Sequence, residues 1–115
     1  MEFVITNNPR VLPLCPSAKW IDGGPLEVLS ECRKRVQEGY LLLNHPLMGD
    51  IHLLRNPFRT VILAEKRREI DLASLGWIEE SVERVRSFFR ERQGRKDLED
   101  YQVLDLELFR TAMGR

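Results

Sequence analysis

The apolar residues of the chain fall first into short runs that predict strands. The runs at 2–6 and 59–65 contain β-branched residues and are followed by polar or turn-forming sequence. The run at 40–43 is too short for a helix, and its continuous apolar character is typical of a strand covered on both faces. We therefore expect strands at 2–6, 19–22, 40–43 and 59–65.

Two longer segments carry apolar residues at helical spacing. The first opens at Pro25 and closes at Gly39, which predicts a helix with proline in its first turn and glycine after its last. The second is expected from Asp71, as N-cap, to about Gln93, with Gly94 ending it. The predicted buried stripes are Leu26, Leu29, Cys32 and Val36 in the first helix, and Leu72, Leu75, Ile78, Val82, Val85 and Phe89 in the second.

The tail of the sequence allows two interpretations. Strand-like alternation connects Gln102, Leu104, Leu106 and Leu108, whereas Phe109, Ala112 and Met113 have helical spacing. We favour a strand at 101–104 followed by a short helix capped by Asp105. The alternative is one helix over 97–113.

This order of elements predicts an α/β fold. Strands that alternate with helices are typical of a mostly parallel sheet with helices on its faces. We expect a small three-layer sheet of Rossmann-like or flavodoxin-like type. The 115 residues leave room for a single domain over 1–115 and not for a second core.

Composition narrows the function classes. Eighteen basic side chains balance eighteen acidic ones, so the chain lacks the positive surplus of a general nucleic-acid binder. No apolar run approaches the roughly 20 residues of a membrane span, and the first residues do not resemble a secretion signal. We expect a cytoplasmic protein with Cys15 and Cys32 as free thiols. The spacing of the histidines fits no zinc motif, and no cofactor fingerprint is present, so we expect neither metal nor cofactor.

Polar residues cluster after the predicted strands. Ligands of open α/β sheets bind beyond the carboxyl ends of the strands. If the first and third strands are parallel neighbours, the residues that follow them meet in one crevice, with the loop 47–57 folded over it. The candidate ligand-binding residues are Thr6, Asn7, Asn8, Asn44, His45, Gly49 and Arg59.

Each candidate has a competing structural interpretation. Asn7 and Asn8 stand before a proline, where an asparagine side chain commonly stabilises a turn. His45 titrates near neutral pH and suits an acid, a base or an anion donor, but it can equally bond a neighbouring loop. Arg59 has the geometry to clamp an anion, although loop arginines are most often solvated.

Several segments together resemble the GrdX family, whose members are encoded beside glycine, sarcosine and betaine reductases in anaerobic bacteria. The resemblance rests on ITNNP at 5–9, on HPL at 45–47 with Gly49, and on NPF at 56–58 with Thr60 and Val61. The tail 100–106 is similar in style. The resemblance implies an accessory protein of a selenium-dependent reductive deamination system. It carries over no catalytic residue.

Three functions remain open at this point. The first is a non-enzymatic accessory protein that binds reductase components or a small polar or anionic ligand. The second is a small enzyme that uses His45 as acid–base. The third is a structural or regulatory homodimer that associates through exposed Trp77 and Phe88. The sequence favours the first, because an enzyme usually shows more than one titratable group at its site.

Overall fold

The computed structural model describes residues 3–44, 56–64, 69–91 and 98–114. Strands and helices alternate only in part along these residues. The elements are β1 (Phe3–Thr6), β2 (Lys19–Trp20), α1 (Pro25–Gln37), β3 (Thr60–Leu63), α2 (Leu72–Glu91) and α3 (Leu98–Met113).

The sheet is mixed, which makes the prediction of a three-layer, mostly parallel, Rossmann-like or flavodoxin-like fold wrong. Its order in the described part of the chain is β2-β1-β3. β1 runs parallel to β2 but antiparallel to β3, so that Thr6 lies opposite Thr60 and Ile5 opposite Val61. All four residues of β3 are buried. The alternation of strands with helices predicts parallel pairing, but the β1–β3 pair is antiparallel, because the order of elements along the chain does not fix the direction of a strand.

The predicted strand at 40–43 lies beyond β3 and not beside β1. Leu42 forms an isolated antiparallel bridge with Leu63. The Leu43 amide donates to the Ile62 carbonyl at 2.8 Å. The first and third predicted strands are therefore separated by β3. The carboxyl ends of both nevertheless lie beside the amino end of β3, one on each side.

Both predicted helices are confirmed, with boundaries close to those expected. Gly39 follows α1 with φ of 114°, a left-handed conformation that favours glycine after a helix. Asp71 caps α2, because its Oδ2 accepts from the Ser74 amide at 2.9 Å. The expectation that Leu72 is buried is wrong, since this first-turn residue is 77% exposed. Gly94 and the Phe89 side chain lie outside the described residues.

The tail is one helix, so the favoured strand at 101–104 is wrong and the alternative is confirmed. Asp105 and Phe109 are buried one turn apart, whereas Val103 and Leu104 are exposed. This spacing of buried positions is helical. The alternation that suggests a strand marks no buried face, since Leu104 is exposed and Gln102, Leu106 and Leu108 are only half-buried.

The described core consists of two apolar clusters, because successive residues of β1 and β3 face opposite sides of the sheet. Ile5, Val61 and Leu63 pack with α1 and α2 in what we call the main cluster. Val4 and Ile62 pack with Val11 and with Phe109 of α3 in the second cluster. No helix among the described residues combines the length and apolarity needed to cross a bilayer.

Candidate functional site

Buried polar side chains gather where β1 ends and β3 begins. The antiparallel register brings these two positions together. The Asn7 amide donates to the Arg59 carbonyl at 3.3 Å, and the Arg59 amide donates to Asn7 Oδ1 at 2.8 Å. We call the whole group the polar edge, and its members are Thr6, Asn7, Asn8, Asn56, Arg59, Thr60 and Asp105.

A chain of hydrogen bonds runs through the polar edge and ends on a buried carboxylate. Thr6 Oγ1 accepts from the Asn8 amide at 3.0 Å and lies 2.8 Å from Thr60 Oγ1. Thr60 Oγ1 donates to Asp105 Oδ2 at 2.6 Å. Each hydroxyl has one hydrogen, so Thr6 donates to Thr60. Asn8 Nδ2 also donates to Asp105 Oδ2, at 2.9 Å, and this bond closes the chain into a ring.

The two charged groups of the polar edge are almost completely buried. Asp105 is 5% exposed and Arg59 is 4% exposed. Burial raises the pKa of Asp105, against the hydrogen bonds from Thr60 and Asn8 and the positive charge of Arg59. Burial lowers the pKa of Arg59 to about 10, and the charge of Asp105 opposes that shift. Arg59 therefore stays protonated at neutral pH, where it donates from Nη1 to the Phe58 carbonyl.

The Asn7 side chain joins three segments of the chain. Its Nδ2 donates to the Gly23 carbonyl at 2.9 Å and to the Pro57 carbonyl at 3.0 Å. Its Oδ1 accepts from the Arg59 amide. Both amide hydrogens and the carbonyl oxygen are thus engaged within the protein. Asn7 connects the end of β1 to the segment before α1 and to the segment before β3.

Two asparagines that precede prolines hold α3. Asn8 Nδ2 donates to the Gln102 carbonyl, and Asn56 Nδ2 donates to the Tyr101 carbonyl, each at 2.9 Å. The Oδ1 atoms accept locally, from the amide two residues further along the chain in each case. The turn interpretation of Asn8 is therefore confirmed, and the same side chain also makes a long-range contact.

Asn44 lies on the other side of β3. Its Oδ1 accepts from the Ile62 amide at 2.8 Å, and its Nδ2 is 3.3 Å from the Thr60 carbonyl. The side chain thus bonds the outer edge of β3 as a further strand would. His45 and Gly49 lie outside the described residues, and the role of any of the seven candidates in ligand binding stays a prediction.

Three members of the polar edge were absent from the predicted site. Asn56 had a local signal, because it is a second asparagine placed before a proline. Thr60 had only its place at the start of a predicted strand. Asp105 was expected to cap a short helix, but it lies on the inner face of α3, one turn before buried Phe109. No cluster of three metal-ligating side chains occurs among the residues that the structure describes.

Comparison with known proteins gives one match. A family model described as GrdX-like protein matches residues 3–114, a range that contains the whole polar edge. Searches of curated proteins and of solved structures gave no significant match. The resemblance seen in the sequence is therefore confirmed at the level of the family.

Proposed function

The chain belongs to the GrdX-like protein family, and on this premise we propose that it is an accessory protein of the glycine, sarcosine and betaine reductase system. It acts by binding a protein component of that system and not by catalysing a reaction. The contact is made by the outer surface of the protein. The polar edge stabilises the fold and does not contact the partner.

The observation that carries this proposal is that the asparagines of the polar edge already form hydrogen bonds within the protein. Asn7 and Asn8 each place both Nδ2 hydrogens and the Oδ1 atom in hydrogen bonds within the protein. A ligand that recruited these groups would have to break such bonds, and each buried polar group left unpaired costs about 1–3 kcal/mol. The amides therefore support the fold better than they support ligand recognition.

The buried charges argue in the same direction. A general acid or base must come within hydrogen-bond reach of the substrate atom that it protonates or deprotonates. Asp105 and Arg59 are buried, and Asp105 already accepts from Thr60 and Asn8. This arrangement fixes one helix against the sheet. It does not present a titratable group to a substrate.

Exposed apolar side chains supply a surface for a protein partner. Leu72 and Trp77 lie on α2 with 77% and 44% of their surface exposed. Large aromatic side chains near the centre of an interface often contribute a large share of the binding energy. We place the partner contact on this exposed part of α2.

The test is a binding titration with purified reductase proteins. Each component is titrated separately against the tagged chain under reducing, oxygen-free conditions, and binding is followed by calorimetry. We expect one component to bind with a Kd of about 10 μM or tighter. Leu72→Ser should weaken that binding about tenfold, because it removes an exposed apolar contact. Ser87→Ala, at an exposed position of the same helix, is the matched control.

Three outcomes would contradict the proposal. Failure of every component to bind rejects a direct partner. A mass of twice the monomer by light scattering, with no binding, favours the homodimer. Substrate turnover by the chain alone that is lost in His45→Ala favours the small enzyme.

A further inference from the structure

We propose that α3 is a latch, which docks on the sheet as one cooperative unit and opens while the main cluster stays folded. The inference rests on how the helix is held and is independent of the proposed reductase partner. When α3 opens, it uncovers Val4, Val11 and Ile62, which it covers in the docked state. The opened protein thus presents a second apolar surface.

The division of the core is the first support. The main cluster unites the sheet with α1 and α2, and none of its described members comes from α3. α3 contributes Phe109 to the second cluster, with Leu106 and Met113 packed against it. The second cluster is the smaller of the two in the described part of the chain. The free energy gained by burying apolar surface is roughly proportional to the area buried. Docking of α3 therefore gains less of this free energy than docking of α1 does.

The outer face of α3 adds little to its attachment. Val103 and Leu104 are exposed and do not contribute to either cluster. Arg110 pairs with Glu107 of the same helix at 3.9 Å, with both side chains about half exposed. An exposed pair within one helix contributes little and does not connect the helix to the rest of the protein.

The polar contacts on the inner face make docking cooperative. The carbonyls of Tyr101 and Gln102 and the carboxylate of Asp105 receive the bonds from the sheet edge within little more than one helical turn. If one of these bonds opens while the helix stays docked, a buried donor or acceptor is left unpaired. Complete docking and complete release are therefore both favoured over partial attachment.

Native-state hydrogen exchange of the full chain, read by mass spectrometry of peptides, tests the latch. We expect the amides of 102–113, which have helical acceptors, to exchange together, with an opening equilibrium about tenfold or more above that of the α1 amides. Thr60→Val destabilises the docked state relative to every opened state, so it should raise exchange about thirtyfold in α3 and by the same factor in α1, whose amides open only after α3. Thr60→Ser restores the hydroxyl and should restore protection, and Thr111→Val is an exposed control on α3.

Equal opening equilibria for α3 and α1 in the wild-type protein would overturn the latch, because release would then be global unfolding. Acceleration of α1 by Thr60→Val without acceleration of α3 would overturn it as well. The wild-type comparison decides the question even if Thr60→Val does not fold. Gln102→Ala offers a milder variant, since it removes only the exposed bond from Arg10 Nε at 3.2 Å and should raise α3 exchange by a smaller factor than Thr60→Val.

Discussion

The Thr60 hydroxyl donates to the Asp105 carboxylate across 2.6 Å and so joins the first residue of β3 to the middle of α3. The same hydroxyl lies 2.8 Å from that of Thr6, which connects β1 to the contact. All three side chains are buried. One hydroxyl group therefore couples two strands and a helix.

Thr60→Val removes this hydroxyl at almost constant volume. We expect the free energy of unfolding to fall by about 2 kcal/mol, because Thr6 and Asp105 each lose a buried partner. Urea denaturation measures the change. Thr111→Val, at an exposed position of α3, should change stability by less than about 0.5 kcal/mol. Equal effects of the two substitutions would contradict the role assigned to Thr60.

Asp105→Asn should change the dependence of stability on pH. Burial raises the pKa of Asp105, so the folded state holds the proton more tightly than the unfolded chain. The contribution of this proton is complete below the unfolded pKa of about 3.9 and is lost as pH rises through the folded value. Asparagine keeps an acceptor oxygen for Thr60 and Asn8 but does not ionise.

The stability of Asp105→Asn relative to wild type should therefore increase as pH rises from about 4 to about 8. Urea denaturation at several pH values measures the difference. Asp100→Asn removes an exposed carboxylate from the same helix, and its difference from wild type should stay nearly flat. A relative stability of Asp105→Asn that falls as pH rises would reverse the sign and reject a raised pKa.

The sequence predicts the helices of the fold, which depend on local spacing, but not the direction of its strands. α1 and α2 follow from apolar residues repeated every three or four positions, which any segment displays without its neighbours. The direction of β3 does not follow, because an apolar run shows that a strand is buried and not which way it runs. The alternation at Gln102, Leu104, Leu106 and Leu108 misleads for a related reason, since positions four residues apart lie on one face in a strand and in a helix alike.

For the candidate site, the sequence predicts several of the residues but not the partners that they bond. Asn7 and Asn8 are predicted because they follow a predicted strand, and Arg59 because its guanidinium could clamp an anion. Their use was not predictable, because the decisive partner of Asn8 is Asp105, 97 residues further along the chain. A polar residue at a strand end has the same sequence signature whether it meets a ligand or another part of its own fold.

Asn7→Asp tests whether Asn7 serves the fold. Aspartate keeps the acceptor for the Arg59 amide but loses both donors, to the Gly23 and Pro57 carbonyls. We expect a loss of about 2 kcal/mol, since two carbonyls at a part-buried site lose a donor and face a carboxylate. Thermal and urea denaturation measure it. A variant with wild-type stability would instead support a role in ligand binding.

Ser81→Ala should stabilise the protein. Ser81 Oγ is buried on α2 and has no hydrogen-bond partner among the described residues. Its removal relieves an uncompensated desolvation cost and also raises helix propensity. We expect a gain of about 1 kcal/mol in the free energy of unfolding. Ser87→Ala, exposed on the same helix, gains propensity alone and should yield less. A destabilised Ser81→Ala would indicate that the hydroxyl has a partner.

The two cysteines should differ in reactivity towards a thiol reagent such as 5,5′-dithiobis(2-nitrobenzoic acid). Cys32 is buried in the main cluster, whereas Cys15 is half-buried in the segment between β1 and β2. Burial raises the pKa of the Cys32 thiol, and the negative charge of Glu31 raises it further. Because the thiolate is the reactive form, Cys32 should not react in the folded protein.

We therefore expect one thiol to be titrated in native buffer and both in denaturant. Cys15→Ser is the control, and it should abolish the native reaction while leaving one thiol titratable after unfolding. Rapid reaction of both cysteines in the native protein would contradict the burial of Cys32.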